Sequence, residues 1–448
     1  MADRRMAVVR DWLSAARKWA RDRPGRVGFA AGVGAGVVAS TLFATYVLPI
    51  LATGHDLEPG TLVVLSGRDD SAGGQRRELI NQWNSMHPRN QARIEELSGI
   101  ADAQRSEMVA RAQAKRRTVD VYNLDVTWVA EFAARRYIRP LDETGLDTSG
   151  FLSGPLATCR HSGELWALPF NTDAGLLFYR TDLVATPPSS WAQLTGDVER
   201  VFAARERDQR LVAGYAGQLA GYEGLTVNGL EAIWAAGGDV VDSSGRVVVD
   251  SPQVRTALVR MANGLAPADP QIVMRQSVSF DETSSTQAFR DGKVAFMRNW
   301  PVAYRTLDQS RGGDPAARLP FAVAKLPGPS VLGGQDLAVA RNTGKPRAAQ
   351  ALVEFLTSER SQQILFERGG FAATRELVYR DSAVVDGYRY APILLTAIRQ
   401  ARPRPVTAHY AQFSKVFQRL VQQALENGGE LPPDARDRLA DALKGYQR

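Results

Sequence analysis

Between Thr61 and Ile138 the chain alternates apolar and amphipathic runs three times over, and this alternation limits its fold more than any other feature. "TLVVLSG" (61–67) has the β-branched texture of a buried strand. "QRRELINQWNSMHP" (75–88) puts Leu79, Ile80 and Trp83 on one helical face, with Pro88 as its stop. "ARIEELSG" (92–99) predicts a second strand and "ADAQRSEMVARAQAKR" (101–116) a second helix. "TVDVYNLD" (118–125) predicts a third strand, and "TWVAEFAARRYI" (127–138) opens a third helix. Strand–helix repeats at this spacing build a parallel sheet with right-handed crossovers. Such sheets hold ligands outside the carboxyl ends of their strands. Those ends carry Ser66, Arg68 and Asp69, then Ser98, then Asn123, Asp125 and Trp128.

The pattern restarts beyond residue 170. "SSWAQLTGDVERVFAARERD" (189–208) reads as a helix, "RLVAGYAGQ" (210–218) as a strand and "YEGLTVNGLEAIWAAGG" (222–238) as mostly helix. "DVVDSSGRVVVDSP" (239–252) reads as a hairpin turning at Ser244-Gly245, with Asp239 and Asp242 as turn residues. Ser251-Pro252 then caps the next helix. Residues 285–307 predict a helix, a turn at Gly292, a strand and Trp300-Pro301. Two strand-like pieces follow at 321–329 and 332–343, then a helical stretch (345–368) and an amphipathic helix from His409. With 448 residues, 44% of them hydrophobic, the chain is long enough for two lobes.

Charge is concentrated at the front. Residues 1–26 hold eight Arg and Lys against three Asp, so they supply five of the seven net positive charges. The rest is nearly neutral, which argues against nucleic acid as a partner. From Val27 to Gly54 there are 28 residues without a charge, where a bilayer needs about 20. With basic residues on its N-terminal side only, this run reads as an anchor that leaves residues 1–26 in the cytoplasm and the bulk outside. A cleaved signal peptide, ending near Ala52 and Gly54, is the competing reading; its apolar core is ordinarily about 7–15 residues. Gly28, Gly32, Gly36, Ser40 and Ala44 recur every fourth position, the spacing that lets membrane helices approach closely, although a Gly/Ala-rich anchor shows it too. The lone Cys159 permits no internal disulfide and reads as a small buried apolar residue.

Catalytic and metal-binding patterns are missing. The four histidines lack metal-ligand spacing, and there is no nucleophile elbow and no phosphate loop. No metal and no cofactor is expected. What stands out is a set of aromatics and planar polar residues at element ends. Aromatic faces pack on the C–H side of a sugar, while Asp, Asn and Arg pair with its hydroxyls. Trp83, Trp191 and Trp234 lie on helical faces and read as core. Trp128 and Trp300 stand at strand ends and read as contact residues.

Several stretches, in this order and spacing, resemble extracellular solute-binding proteins of family 1, the maltose/trehalose group serving ABC importers. They are "LINQWNSMHP", "VDVYNLDVTWVAEFA", "ELWALPFNTDAGLLFYRTDLVATPPSSWAQL", "GGDVVDSSGRVVVDSP", "AFRDGKVAFMRNWPVAY" and "KPRAAQALVEFLTSERSQQ", within roughly residues 60–430. The resemblance implies a periplasmic-binding-protein type II fold, α/β in two lobes with a ligand cleft between them. It divides the chain into a basic arm (1–26), an anchor (27–54), a linker (55–60), one lobe of 60–169 plus 326–360 and another of 170–325 plus 361–448. It implies sugar contacts at Asp125 and Trp128, at Asn171 and Asp173 where the chain crosses between lobes, and at Asn299 and Trp300. Gly333, Gly334 and Asp336 are expected near the ligand through their backbone, with Arg375 and Tyr410 as further contacts. The implied partners are a carbohydrate, ABC permease subunits and the membrane. One departure is that a basic arm and a spanning helix replace the lipid anchor usual in single-membrane cells. That leaves open a sensor signalling through its membrane helix. A glycan-acting enzyme is a third reading, and it requires a carboxylate pair about 5–10 Å apart.

Overall fold

A computed structural model describes residues 57–69, 71, 73–114, 117–204, 208–309 and 319–446. The arm and the uncharged run at 27–54 lie outside the described residues, and no described helix is long and apolar enough to cross a membrane.

The opening alternation forms as the sequence predicts. Strands β1 (Leu62–Ser66), β2 (Ala92–Glu96) and β3 (Val121–Asp125) pair in parallel, with β1 central. Helices α1 (Gln75–Met86) and α2 (Ala101–Gln113) make the crossovers. Leu79, Ile80 and Trp83 are buried on α1 as its apolar spacing requires. A two-residue hairpin, β4 (Arg160–His161) with β5 (Glu164–Leu165), precedes β6 (Ala167–Ala174).

β6 departs from the sequence reading. Asn171 and Asp173 are expected where the chain crosses between lobes, yet with Thr172 they lie within β6, an edge strand of the first sheet. Gly175 follows, and β7 (Leu176–Arg180) belongs to a second sheet. That sheet adds β8 (Ala213–Ala216), β9 (Val294–Asn299) and β10 (Phe321–Lys325), in the order β10-β7-β9-β8. The chain then returns through residues 326–331 to β11 (Leu332–Val339), which fits antiparallel between β3 and β6 in the first sheet. Two strand pairs therefore pass directly from one sheet to the other, the topology of a two-lobed α/β fold.

Helices cover the second sheet. They include α3 (Trp191–Ala203), α4 (Glu223–Ala235), α5 (Pro252–Leu265), α6 (Glu282–Arg290) and α7 (Tyr410–Glu426). Ser251 caps α5 by accepting from the Val254 amide, as its Ser-Pro signature indicates. The apolar faces of α4, α5 and α7 meet in one core around Leu230, Ile233, Phe413 and Phe417. The sequence's hairpin at 239–252 is only a single bridge, Val241 to Val247. Asp242 is a turn residue there, accepting from the Ser244 and Arg246 amides. Asp239 instead binds the Trp234 indole N–H and Arg402. The long helical stretch at 345–368 breaks at Thr357 because Ser358 caps a new helix.

Candidate functional site

The two sheets meet where β6 gives way to β7 and where β11 begins. Gly175 is forced at the first junction: a Cβ there would lie 2.7 Å from the Arg298 guanidinium and from the Glu231 carboxylate. Arg298 ends the apolar run of β9 and is fully buried, as is Glu231 on α4. Glu231 accepts from Arg298 through both oxygens, at 2.8 and 3.0 Å, and from the Val331 amide at 3.0 Å. Ser330 accepts from the Gly175 amide. One carboxylate thus reaches the second passage directly, and the first is tied to it through Ser330. Burial works against the Arg298 cation, but Glu231 more than offsets it and raises the pKa.

Above this pair stands Trp300. The Arg298 guanidinium lies 3.7 Å from the centre of its ring, and the indole N–H donates to Glu282 Oε1 at 3.2 Å. The far edge of the indole abuts Gly333 on the other sheet, where a Cβ would come within 3.3 Å of the ring and of Asp173. Asp173 is the only half-buried position of the otherwise buried β6, and it pairs in register with Gly333. Among the described residues no hydrogen bond reaches its carboxylate. Burial pushes its pKa up to about 7, against the pull of Arg298, Arg76 and Arg404 and helped by the Asp125 charge. Asn171 is 2% exposed, and neither its oxygen nor its nitrogen has a partner. Gly334 (φ 122°) closes this wall against β6, since a Cβ there would fall 2.2 Å from the Asn171 carbonyl oxygen.

A second cluster adjoins the first. Asp125, at the end of β3, accepts from the Thr127 amide and hydroxyl and from Arg404 at 3.1 Å. Arg404 also binds Glu223 at 2.7 Å, and Glu223 accepts from the hydroxyls of Tyr410 and Ser414. Arg404 therefore joins an acid on the first lobe to an acid at the start of α4 on the second. Burial opposes its charge, yet Asp125, Tyr410 and Glu223 raise its pKa. Burial raises the Glu223 carboxyl in spite of Arg404.

Of the ten residues expected from sequence, Asp125, Asn171, Asp173, Trp300, Gly334 and Tyr410 come together here. The hydroxyl of Tyr410 is spent on Glu223, and the residue is buried. The side chains of the other four are engaged within the protein, Asp336 having been expected near the ligand through its backbone only. Asn299 turns inward and donates to Thr286 Oγ1 at 2.9 Å and to the Glu282 carbonyl. Trp128 is buried in the first lobe. Arg375 packs over Phe151 and donates to the Thr357 carbonyl. Asp336 has no exposed surface and accepts from Thr158 at 3.0 Å. Sequence reasoning missed Arg404, Glu223, Arg298 and Glu231. An arginine between two prolines in "RPRPV" and a charge inside the apolar "VAFMRN" were the available signals. Among the described residues no group of three His, Cys, Asp or Glu is placed to hold a metal ion.

Asp336 carries a prediction. Burial lifts its carboxyl to about 8, against about 4 in an unfolded chain. Between those values the folded state holds a proton that the unfolded state has released, so stability falls as pH rises through this window. Asp336→Asn is expected to raise the melting temperature at pH 8 and leave it unchanged at pH 4. An equal shift at both pH values would refute the assignment.

Two α/β lobes, joined by strands that run from one sheet to the other and meeting at a wall of unsatisfied polar groups, define the class of periplasmic-binding-protein folds. The chain belongs to the bacterial extracellular solute-binding protein family, whose model matches residues 80–388. Members are extracellular binding proteins of transporters, not enzymes. Over 351 residues the chain is 29% identical to a probable ABC transporter-binding protein of Deinococcus radiodurans, covering 75% of this chain and 82% of that one. Its structure matches maltose-bound MalE3 of T. maritima with a TM-score of 0.76 and 28% identity, over 86% of this chain and 99% of that one. The GacH receptor of Streptomyces glaucescens, solved unliganded and with acarbose, shares the fold at TM-score 0.71 and 23% identity, over 87% and 100% of the two chains.

Proposed function

We propose that the chain captures a carbohydrate of two or more sugar units between its lobes by hinge closure and delivers it to the permease subunits of an ABC importer. Residues 27–54 hold it at the cell membrane, with residues 1–26 in the cytoplasm. The lobes meet at the passages Gly175 and 326–331, which act as hinges; the expected bound at 169/170 falls inside β6 and moves to Gly175.

One observation carries this reading. Among the described residues the buried Asn171 amide has no partner, and no hydrogen bond reaches the half-buried Asp173 carboxylate, beside an indole held by Arg298 and Glu282. A buried polar group left unpaired costs about 1–3 kcal/mol. A sugar relieves that cost with hydroxyls and offers Trp300 its C–H face. The maltose in the T. maritima relative supports the same ligand class.

Calorimetry of the full chain against glucose, maltose, trehalose and maltotriose tests the proposal. Reversible binding of one sugar per chain is expected; a folded protein that binds none of them would sink it. Affinity is expected to rise as pH increases through about 7, because the ionised Asp173 carboxylate accepts from sugar hydroxyls through both oxygens and more strongly than the neutral acid. Asp173→Asn should weaken binding and remove that pH dependence.

A further inference from the structure

A half-open pocket of the second lobe lies away from the cleft. Helices α3, α4 and α5 and strand β8 surround a cavity of about 550 Å³, within the range of about 300–1,000 Å³ typical of small-molecule sites. Its walls are chiefly apolar, and none of the ten cleft candidates lines it. Trp191 and Tyr215 form one side, edge to face with ring centres 5.1 Å apart. The sequence assigned Trp191 to the core, yet its ring is only half buried and borders this space.

The polar groups of the lining are lopsided in charge. They include Arg255 and Arg260 and not one carboxylate. Arg255 is exposed and pairs with Glu430 at 2.5 Å. Arg260 is different. Its guanidinium lies 5.3 Å from the centre of the Trp191 ring, and it donates to the Ala232 carbonyl at 2.9 Å. No described carboxylate pairs with it. Three buried arginines have such partners: Arg180 has Asp182 and Asp208, Arg298 has Glu231, and Arg404 has Asp125 and Glu223. Burial lowers the Arg260 pKa, and no acidic group opposes that shift. A half-buried guanidinium stacked on an indole, facing an apolar cavity and lacking a counter-charge, is matched by an anion with a flat apolar body.

We propose that this cavity is a second ligand site, separate from the sugar cleft, which takes a small aromatic carboxylate: the ring lies against Trp191 and Tyr215, and the carboxylate pairs with Arg260.

Ligand-observed NMR and calorimetry on the full chain test this with 1-naphthoate and its uncharged analogue 1-naphthalenemethanol. Saturable binding of one naphthoate per chain is expected, with the alcohol at least ~10-fold weaker. Arg260→Gln should weaken naphthoate by a similar factor and leave the alcohol unaffected, while Arg260→Lys should retain part of the preference. Trp300→Ala, at the cleft, should leave naphthoate binding unchanged. Failure of naphthoate to saturate at millimolar concentration overturns the proposal, as does equal binding by Arg260→Gln or competition by a cleft-bound sugar. If Arg260→Gln does not fold, Thr195→Trp fills the same cavity and must abolish binding.

Discussion

Glu231→Gln is expected to lower the stability of the second lobe by about 3–5 kcal/mol, the loss typical when one partner of a buried ion pair is removed. Arg298 is 1% exposed, so without the carboxylate its charge stays buried with no ion-pair partner in contact, held against Gln218 and the Trp300 face, while Asp173 and Glu282 act on it only through space. Glutamine offers one acceptor where Glu231 uses two, and the Val331 amide loses its ionised partner. Urea unfolding followed by circular dichroism measures the loss. The double variant Glu231→Leu/Arg298→Met should recover much of it, because removing both charges abolishes the desolvation penalty. A single variant within about 1 kcal/mol of the parent would show that the pair does not hold the junction. The junction also sits under the cleft, so partial recovery of stability without recovery of sugar affinity is expected: methionine and leucine fill volume but do not fix the indole.

The fold was largely legible from the sequence because its strongest signal is local. The β1–α1–β2–α2–β3 alternation depends on apolar spacing within each element, and each element formed. The passages between lobes were harder. The resemblance makes "LPFNTDAGLLFYRTDL" a crossing at Asn171 and Asp173, whereas it is two strands of different sheets with the crossing at Gly175 between them. Nothing local distinguishes these cases, because the polar side chains of β6 answer to β11, more than 150 residues further on. The site shows the same limit. Trp300 was singled out because it ends a strand, and Asp173 through the resemblance. Arg404 and Glu223 were missed because their role comes from meeting Asp125 across the lobes, a contact that spans 279 positions of sequence. Asn299 was misplaced for a related reason. An amide at a strand end suits a ligand, but here the start of α6 supplies the Thr286 hydroxyl and the Glu282 carbonyl first.

Trp300→Ala is expected to weaken binding of the sugar identified by calorimetry by ~30-fold or more, about 2 kcal/mol, as for an aromatic anchor at the centre of a contact. The indole is held on two sides, by Arg298 against its face and by Glu282 at its nitrogen, and only its remaining surface, beside Asp173 and Gly333, is left for a ligand. Alanine removes the platform and leaves the Asp173 wall intact, so hydrogen bonding to the sugar survives while stacking is lost. The stability cost should be smaller than the 3–5 kcal/mol typical of a buried aromatic, because Trp300 is only partly buried against the core. Trp300→Phe separates the contributions: it keeps a stacking face but drops the bond to Glu282, and an intermediate affinity is expected. Binding by Trp300→Ala equal to the parent would remove the indole from the site. An unfolding midpoint that collapses in Trp300→Ala, with Trp300→Phe rescuing stability but not affinity, would place the residue in the core and leave sugar recognition to the Asp173 wall and Arg404.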